Sequence, residues 1–352
     1  MLNNFKIGSY RGLKKLEINE LKKVNVFVRP NNCGKTSILE AIILSGLFDN
    51  AELLVDALVA RYHDFVPELF EALFPNGEKP VICLESKSNN DERVLHSHLT
   101  YDKKKIIQKN EDGLNASVRF LDVFELQFDY SYEDNPELHN RFIMRFVDKG
   151  EQYDIDFGSS TKNTLHVHVP CKFISFSRFD RSDQFLKSLD ELLNQNLRQE
   201  LVDVLQIFDK DIENFEIVGS KRVVKLFKKK EEKPLTLYDY GNGMYKAFYI
   251  ATSAILARGG ILLVDEGEAG IHNRVLEKFI QKLLLVCEKN NVQLFFTTHS
   301  LEAIDVLLND CKEELEDIAF YHIRNSKEKT IAKRYSGEKL LTLRNEIGFD
   351  IR

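Results

Sequence analysis

The sequence has no apolar run long enough to cross a membrane. Its most apolar segments, IATSAILA and GGILLVDE, are interrupted by polar residues, glycine or charge well before the ~20 residues that a transmembrane helix needs. The N-terminal segment MLNNFKIGSYRG also lacks the apolar core and the small-residue cleavage site of a secretory signal peptide. We therefore expect a cytoplasmic protein with no membrane partner.

Cysteine pairs and net positive charge are also missing. The five cysteines are scattered, with no C-x-x-C pair, which favours free thiols in a reducing compartment. The formal net charge is -6, so DNA binding would need a local basic surface. The sequence contains no internal repeat, no low-complexity tract and no sustained heptad pattern, which excludes a long coiled coil.

What is present is an ordinary globular composition, with 43% hydrophobic and 30% charged residues in 352 positions. From residue 244 onward, helical and strand-like segments alternate, which is typical of a largely parallel sheet with helices on its faces. Residues 51–74 look helical, and short alternating runs of β type follow them. We predict an α/β fold whose core, 1–50 and 170–352, is interrupted by an insertion, 51–169, that is first helical and then β-rich.

Residues 27–42, FVRPNNCGKTSILEAI, come close to the phosphate-binding pattern G-x-x-x-x-G-K-[ST]. Gly34, Lys35 and Thr36 match its last three positions, but Arg29 replaces its first glycine. The backbone amides of residues 32–37 would supply most of the phosphate cradle, so we expect Arg29 to reshape the loop entry without removing the site. The predicted nucleotide-binding residues of this loop are Asn31, Asn32, Cys33, Gly34, Lys35, Thr36 and Ser37.

A second signal is the segment GGILLVDEGEAGIH, in which an apolar strand ends in Asp265 and Glu266. Such a strand carries its acids to the carboxyl edge of a parallel sheet, where open α/β folds bind ligands. We predict that Asp265 and Thr36 hold Mg²⁺ and that Glu266 is the general base that activates water. The alternative is a buried strand that happens to end in two acids.

A third signal is VQLFFTTHS, another apolar strand, which ends beside His299. A lone histidine at this position is usually a surface or capping residue. After the acidic pair, His299 is instead predicted to donate to the terminal phosphate or to position the attacking water, alongside Lys35 and Glu266. Together the three segments predict a P-loop fold that binds ATP and Mg²⁺ and hydrolyses ATP.

These segments, with FKIGSYRGLKKLEI before the loop and LFFTTHSLEAID near the end, resemble the SMC-like group of ABC-type ATPases. The similarity is greatest to the ATPase part of the overcoming-lysogenisation-defect (OLD) family, over about residues 1–48 and 170–352. The resemblance implies a homodimer or higher oligomer that hydrolyses ATP between two heads. In that arrangement, Gly241 and Gly243 of YDYGNGMYKAF bring backbone donors to the partner's nucleotide, although the fit to the family's signature is loose at Tyr240 and Lys246.

The same resemblance gives His272 a place in the loop that connects two active sites, and leaves Gln127 as a weak counterpart of the family's glutamine loop. About 50 residues follow His299, which is too few for the Toprim nuclease domain of OLD proteins. A nuclease or toxin effector is therefore expected on a separate chain, and a role in defence against phage is an analogy. Two alternatives stay open: a DNA-repair ATPase that clamps duplex DNA, and a slowly hydrolysing scaffold for an effector.

Two further patterns favour structural roles. The histidine pairs of HSH and HVH are spaced for metal binding on a strand, but no further ligands lie nearby in sequence, which favours exposed strand residues. The lysine cluster could contact phosphates, but two glutamates follow it, which favours a solvated hairpin tip. These residues are His96, His98, His166, His168, Lys225, Lys228, Lys229 and Lys230.

Overall fold

The strands of this chain form two large sheets, and one buried helix lies between them. A computed structural model describes residues 1–28, 34–45, 81–88, 91–112, 115–135, 139–148, 153–161, 169–175, 182–229, 231, 233–326 and 328–352. Several sequence predictions lie outside these residues. They concern the helical segments near 51–74, Arg29, Asn31, Asn32, Cys33, His166, His168 and Lys230.

The N-terminal half is mostly β. Its elements are β1 (Leu2–Tyr10), β2 (Leu13–Ile18), β3 (Val24–Val28), α1 (Lys35–Leu44), β4 (Val81–Ser88), β5 (Asp91–Asp112), β6 (Asn115–Tyr132), β7 (His139–Asp148) and β8 (Tyr153–Thr161).

The C-terminal half alternates helices and strands. Its elements are β9 (Cys171–Ser175), α2 (Ser182–Asn194), α3 (Arg198–Leu205), β10 (Ile212–Val218), β11 (Val223–Lys228), β12 (Leu235–Thr236), α4 (Asn242–Leu256), β13 (Ile261–Asp265), α5 (Asn273–Lys289), β14 (Gln293–Thr298), α6 (Leu301–Asn309), β15 (Ile318–Asn325), β16 (Thr330–Ser336) and α7 (Gly337–Ile347). None of the helices in the described ranges has the length and apolarity needed to span a bilayer.

A six-stranded sheet forms the centre of the fold, in the order β16-β15-β3-β14-β13-β9. Its first five strands from the β9 edge run parallel, and β16 pairs antiparallel with β15 at the opposite edge. The sheet is therefore mixed and helices flank it, which confirms the predicted α/β fold class. Because parallel strands end at the same edge, the residues that follow β13 and β14 meet there, beside the start of α1.

Helix α1 lies between the two large sheets. Nearly all of its residues are buried, as predicted from a segment that is apolar nearly all round. On one side it contacts β13 and β14, and on the other it contacts β1. Its apolar side chains share a core with Phe5 of β1 and with Phe27 and Phe295 of the central sheet. The opposite face of the central sheet packs against a second core that includes α2, α4, α5 and α6.

The second large sheet is antiparallel, in the order β2-β1-β4-β5-β6-β7-β8. The hairpin that begins the chain thus shares one sheet with the strands of the predicted insertion, because β1 pairs with β4. The two large sheets also meet directly, since the backbone N–H of Lys14 on β2 donates to Thr330 Oγ1 on β16 over 3.2 Å.

A small sheet, β10-β11-β12, corrects the interpretation of the lysine cluster. Lys225 and Lys228 lie on the strand β11, and Lys229 lies in the connection to β12, so the cluster is not one hairpin tip. The Lys228 ammonium is 3.0 Å from carboxylate oxygens of both Asp209 and Glu231. These two ion pairs hold Lys228 against its own sheet instead of leaving it in solvent.

Candidate active site

The N-terminus of α1 is the first component of the site. Gly34 precedes the helix with a φ of 91°, a left-handed conformation that glycine adopts without strain. A β-carbon at this position would also lie 2.9 Å from Leu13 Cδ2. Because glycine has no side chain to cap the helix, the first backbone N–H groups of α1 are left for a ligand at the positive end of the helix. This is the usual setting for phosphate binding.

The Lys35 side chain is buried and crosses from α1 to the ends of β13 and β14. Its Nζ lies 3.4 Å from the Thr298 carbonyl oxygen, to which it donates, and 4.0 Å from Glu266 Oε1. A buried ammonium needs nearby negative charge, and here an acid of the adjacent strand end supplies it. A phosphate arriving at the helix N-terminus can take over this pairing and release the carboxylate.

Thr36 and Asp265 are 229 positions apart in sequence, yet they are hydrogen-bonded. The Thr36 hydroxyl donates to Asp265 Oδ2 over 2.7 Å. A hydroxyl and a carboxylate in contact fit Mg²⁺, which prefers hard oxygen ligands and takes few from the protein. Burial raises the pKa of the Asp265 carboxyl above its usual value, and hydrogen bonds from Thr297 and Thr36 partly oppose this change.

Glu266 follows directly and is 42% exposed, so its carboxylate faces the open side of the site. Its backbone has a φ of 50°, which is unfavourable for a residue with a side chain. Glu266 Oε1 lies 3.6 Å from His299 Nδ1. The predicted base and the predicted histidine are therefore neighbours, beside Lys35.

Two polar residues of the site, Glu268 and Thr297, were missed by the sequence analysis. Glu268 is buried and its Oε1 accepts from the Thr298 hydroxyl over 2.6 Å and from the His299 backbone N–H over 3.3 Å. Thr297, one position earlier on β14, is fully buried and bonded to the acidic pair. The only sequence signals are the second acid of EGE and the doubled threonine before His299, and neither pattern has a recognised meaning by itself.

Gly241 and Gly243 lie apart from this cluster, where α4 begins. A β-carbon on Gly243 would be 2.8 Å from the Gly270 carbonyl oxygen, so the start of α4 packs closely on the loop after Glu266. Lys246 of α4 donates to the Ala269 carbonyl oxygen over 2.7 Å. Burial lowers the pKa of Lys246, while the charges of Glu266 and Glu268 oppose this. Gly243 thus lies against the acidic loop of its own chain, and the predicted role of Gly241 and Gly243 at a partner's nucleotide stays a prediction.

The remaining predicted residues occupy positions on helices and strands of the described ranges, and their suggested roles stay predictions. His272 caps α5, and its Nδ1 accepts from the Arg274 backbone N–H. Gln127 lies on β6 and donates to Asp129 over 2.8 Å. His96 and His98 lie on β5, and no group of three or more metal-binding side chains occurs among the residues that the structure describes.

A protein family described as "AAA domain, putative AbiEii toxin, Type IV TA system" matches residues 24–305. This segment is more than half of the chain and contains every residue of the candidate site. The chain belongs to this AAA family. AAA domains are ATPases, so the protein is an ATPase with a P-loop nucleotide site.

Two proteins are similar to this chain in sequence. One, from Helicobacter pylori, is named ATP/GTP phosphatase and is 21% identical over 378 aligned residues, which cover 97% of each chain. The other, from Methanocaldococcus jannaschii, is named Uncharacterized protein MJECL11. It is 37% identical over 112 residues, which are 32% of this chain and 98% of the relative.

Solved structures of SMC head domains are similar at low sequence identity. The head domain from Thermotoga maritima is 10% identical, with a TM-score of 0.42, and the alignment covers 95% of the present chain and 99% of that chain. A head domain with an extended coiled coil from Pyrococcus furiosus, bound to the C-terminal domain of ScpA, is 9% identical, with a TM-score of 0.48 and 99% coverage of both chains.

Proposed function

We propose that this AAA ATPase binds ATP and Mg²⁺ where the N-terminus of α1 meets the ends of β13 and β14, and that it works as a homodimer. The contact of 2.7 Å between Thr36 and Asp265 carries the proposal, because it joins the phosphate-loop helix to the acidic strand. The pairing of Lys35 with Glu266 over 4.0 Å supports the same location.

Each residue of the cluster has a distinct part in the proposed reaction. Lys35 and the N–H groups at the start of α1 bind the β- and γ-phosphates. Thr36 and Asp265 would hold Mg²⁺, which neutralises the charge that develops on the phosphate oxygens. Glu266 accepts the proton of the attacking water, and His299, 3.6 Å away, orients the water or the terminal phosphate.

The assembly that we propose follows the resemblance to OLD-type ATPases. Gly241 and Gly243 of one protomer would face the nucleotide of the other, so that ATP closes the dimer and hydrolysis opens it. Closure would control a separate effector protein, in defence against phage. The family description, which names a putative toxin of a type IV toxin–antitoxin system, supports a role in defence.

Steady-state hydrolysis tests the site. We expect Lys35→Ala to abolish ATP binding, and Glu266→Gln to keep binding while lowering the hydrolysis rate about 10²–10⁴-fold, as loss of a general base does. Glu277→Gln and Lys278→Ala remove equivalent charges from the exposed face of α5 and serve as matched controls. Hydrolysis by Glu266→Gln at the parental rate would show that another group is the base. GTP is assayed beside ATP, because the H. pylori relative is named for both.

Purification from the native host tests the partner. We expect a second protein to co-purify with the Glu266→Gln variant in the presence of ATP and not with Lys35→Ala. Binding of duplex DNA that strengthens with ATP and weakens with salt, without a protein partner, would instead favour the DNA-clamping alternative. A native protein that holds its partner with ATP but releases almost no phosphate would favour the slow scaffold.

A further inference from the structure

The hydroxyl of Thr297 connects both acids of the proposed site. Thr297 lies on β14, the strand between β3 and β13, and its side chain is fully buried. Its Oγ1 donates to Asp265 Oδ1 over 2.6 Å and accepts from the Glu266 backbone N–H over 2.9 Å. One side chain that carries no motif is thus bonded to the predicted metal ligand and to the predicted base.

We propose that Thr297 is a positioning residue for ATP hydrolysis: it fixes which oxygen of Asp265 faces Mg²⁺ and holds the backbone from which the Glu266 side chain reaches the water. The inference rests on the proposed roles of Asp265 and Glu266.

The first step of the argument concerns Asp265. Its two carboxylate oxygens accept from two different hydroxyls, Oδ1 from Thr297 and Oδ2 from Thr36. When a cation binds, the Thr36 hydroxyl can turn its oxygen toward the cation and leave Oδ2 free for the metal or its water. The bond from Thr297 persists, because Thr297 is buried behind the carboxylate and is not a candidate ligand. The hydrogen bond from Thr297 therefore fixes the rotation of the carboxylate, so that Oδ2 is the oxygen available to the metal.

The second step concerns Glu266. Its φ of 50° is a left-handed conformation that residues other than glycine adopt only when their surroundings hold them there. Its backbone N–H donates to Thr297 Oγ1, so the same hydroxyl that orients Asp265 also anchors this turn. Valine has nearly the shape of threonine but can make neither hydrogen bond. Serine can make both.

Thr252 provides a matched control within the same protein. Like Thr297 it is fully buried, and its hydroxyl donates to the Phe248 carbonyl oxygen of its own helix, α4, over 2.7 Å. Thr252→Val therefore removes a buried hydroxyl of the same kind without touching Asp265 or Glu266. A difference between the two valine variants reports on position in the site and not on the loss of a buried hydrogen bond.

The experiment measures kcat, the Mg²⁺ concentration that gives half the maximal rate, ATP binding without Mg²⁺, and the melting temperature. For Thr297→Val we expect a loss of about 10–100-fold in kcat, in Mg²⁺ affinity or in both, the usual effect of removing a group that orients a metal ligand. Binding of ATP without Mg²⁺ should be unchanged. Thr297→Ser should recover most of the lost rate, and Thr252→Val should keep parental kcat and Mg²⁺ dependence.

Parental kcat and Mg²⁺ dependence in Thr297→Val would overturn the inference, as would an equal loss in Thr252→Val or no recovery in Thr297→Ser. If Thr297→Val does not fold, Thr297→Cys replaces it, because a thiol keeps the volume and bonds only weakly. Asp265→Asn and Glu266→Gln are assayed in parallel. If these two are inactive while Thr297→Val is unaffected, only the role of Thr297 fails; if they are as active as the parent, the proposed site itself is wrong.

Discussion

Asp265 has a carboxylate that is only 9% exposed, and this burial has an energetic consequence. Burial raises the pKa of Asp265 in the folded protein above the ordinary 3.8, because the charged form loses water. A folded-state pKa above the unfolded value means that the ionised group destabilises the fold at neutral pH. The destabilisation disappears as the pH falls from the raised folded value to 3.8, where the carboxyl is protonated in both states.

Asp265→Asn should therefore make the nucleotide-free protein more stable while abolishing Mg²⁺-dependent hydrolysis. We expect the free energy of unfolding of this variant at pH 7 to exceed that of the parent, because a neutral amide loses less hydration on burial than a carboxylate does. The gain should shrink as the pH falls toward 3.8. Urea unfolding at several pH values measures it, with the exposed Asp211→Asn as control. A less stable Asn variant would contradict the expected cost of the buried charge.

At the residue scale, the sequence could indicate Lys35, Thr36, Asp265, Glu266 and His299 because each belongs to a pattern tied to a strand end. The structure brings these side chains to one edge of the central sheet. Thr297 and Glu268 could not be found in this way. Their importance depends on distances of 2.6–3.3 Å to other segments, and no spacing along the chain reports such distances.

At the scale of secondary-structure elements, a buried ion pair ties the β1–β2 turn to α1. Arg11 Nε lies 3.1 Å from Glu40 Oε2, and the Tyr10 hydroxyl donates to the same oxygen over 3.1 Å. Glu40 is fully buried and Arg11 is 9% exposed. Two buried charges are tolerated only while they are paired. Removing one partner should therefore destabilise the protein more than removing both.

Glu40→Met should lower the free energy of unfolding by about 3–5 kcal/mol, because it removes the carboxylate that Arg11 contacts while the guanidinium stays buried. The double variant Arg11→Met with Glu40→Met should recover much of that loss. Urea unfolding of the four members of this cycle gives the coupling.

Asp317→Asn is the surface control for this cycle. It breaks the Lys23–Asp317 pair, whose side chains are 45% and 43% exposed, and should cost less than about 1 kcal/mol. A double variant as unstable as the sum of its single substitutions would contradict the coupling of Arg11 and Glu40.

Strands β3, β13 and β14 of the central sheet were predictable, because each is a short, continuous apolar run that is followed by polar or glycine residues. The pairing of β1 with β4 was not predictable, since it joins strands that are more than 70 residues apart. The surroundings of Lys228 on β11 were misinterpreted because its charge suggested solvent. Glu231 is close in sequence, but Asp209 supplies a counter-charge from before β10, which no local pattern reveals.

At the scale of the whole molecule, the proposed dimer makes a prediction about mass. Glu266→Gln should accumulate as a dimer with ATP, because nucleotide that is bound and not hydrolysed keeps the heads closed. Lys35→Ala should stay monomeric at the same protein and nucleotide concentrations. Light scattering after size-exclusion chromatography, with and without ATP, measures the mass of each variant and so distinguishes a dimer from a monomer. A Glu266→Gln variant that binds ATP and remains a monomer would argue against closure as the output of this ATPase.

The position of α1 between two sheets restricts how the protein can respond to nucleotide. Helix α1 contacts β13 and β14 on one side and β1 on the other. A displacement of α1 on nucleotide binding would therefore displace β1 as well as the parallel strands. Because β1 pairs with β4, such a displacement would also reach the strands of the predicted insertion.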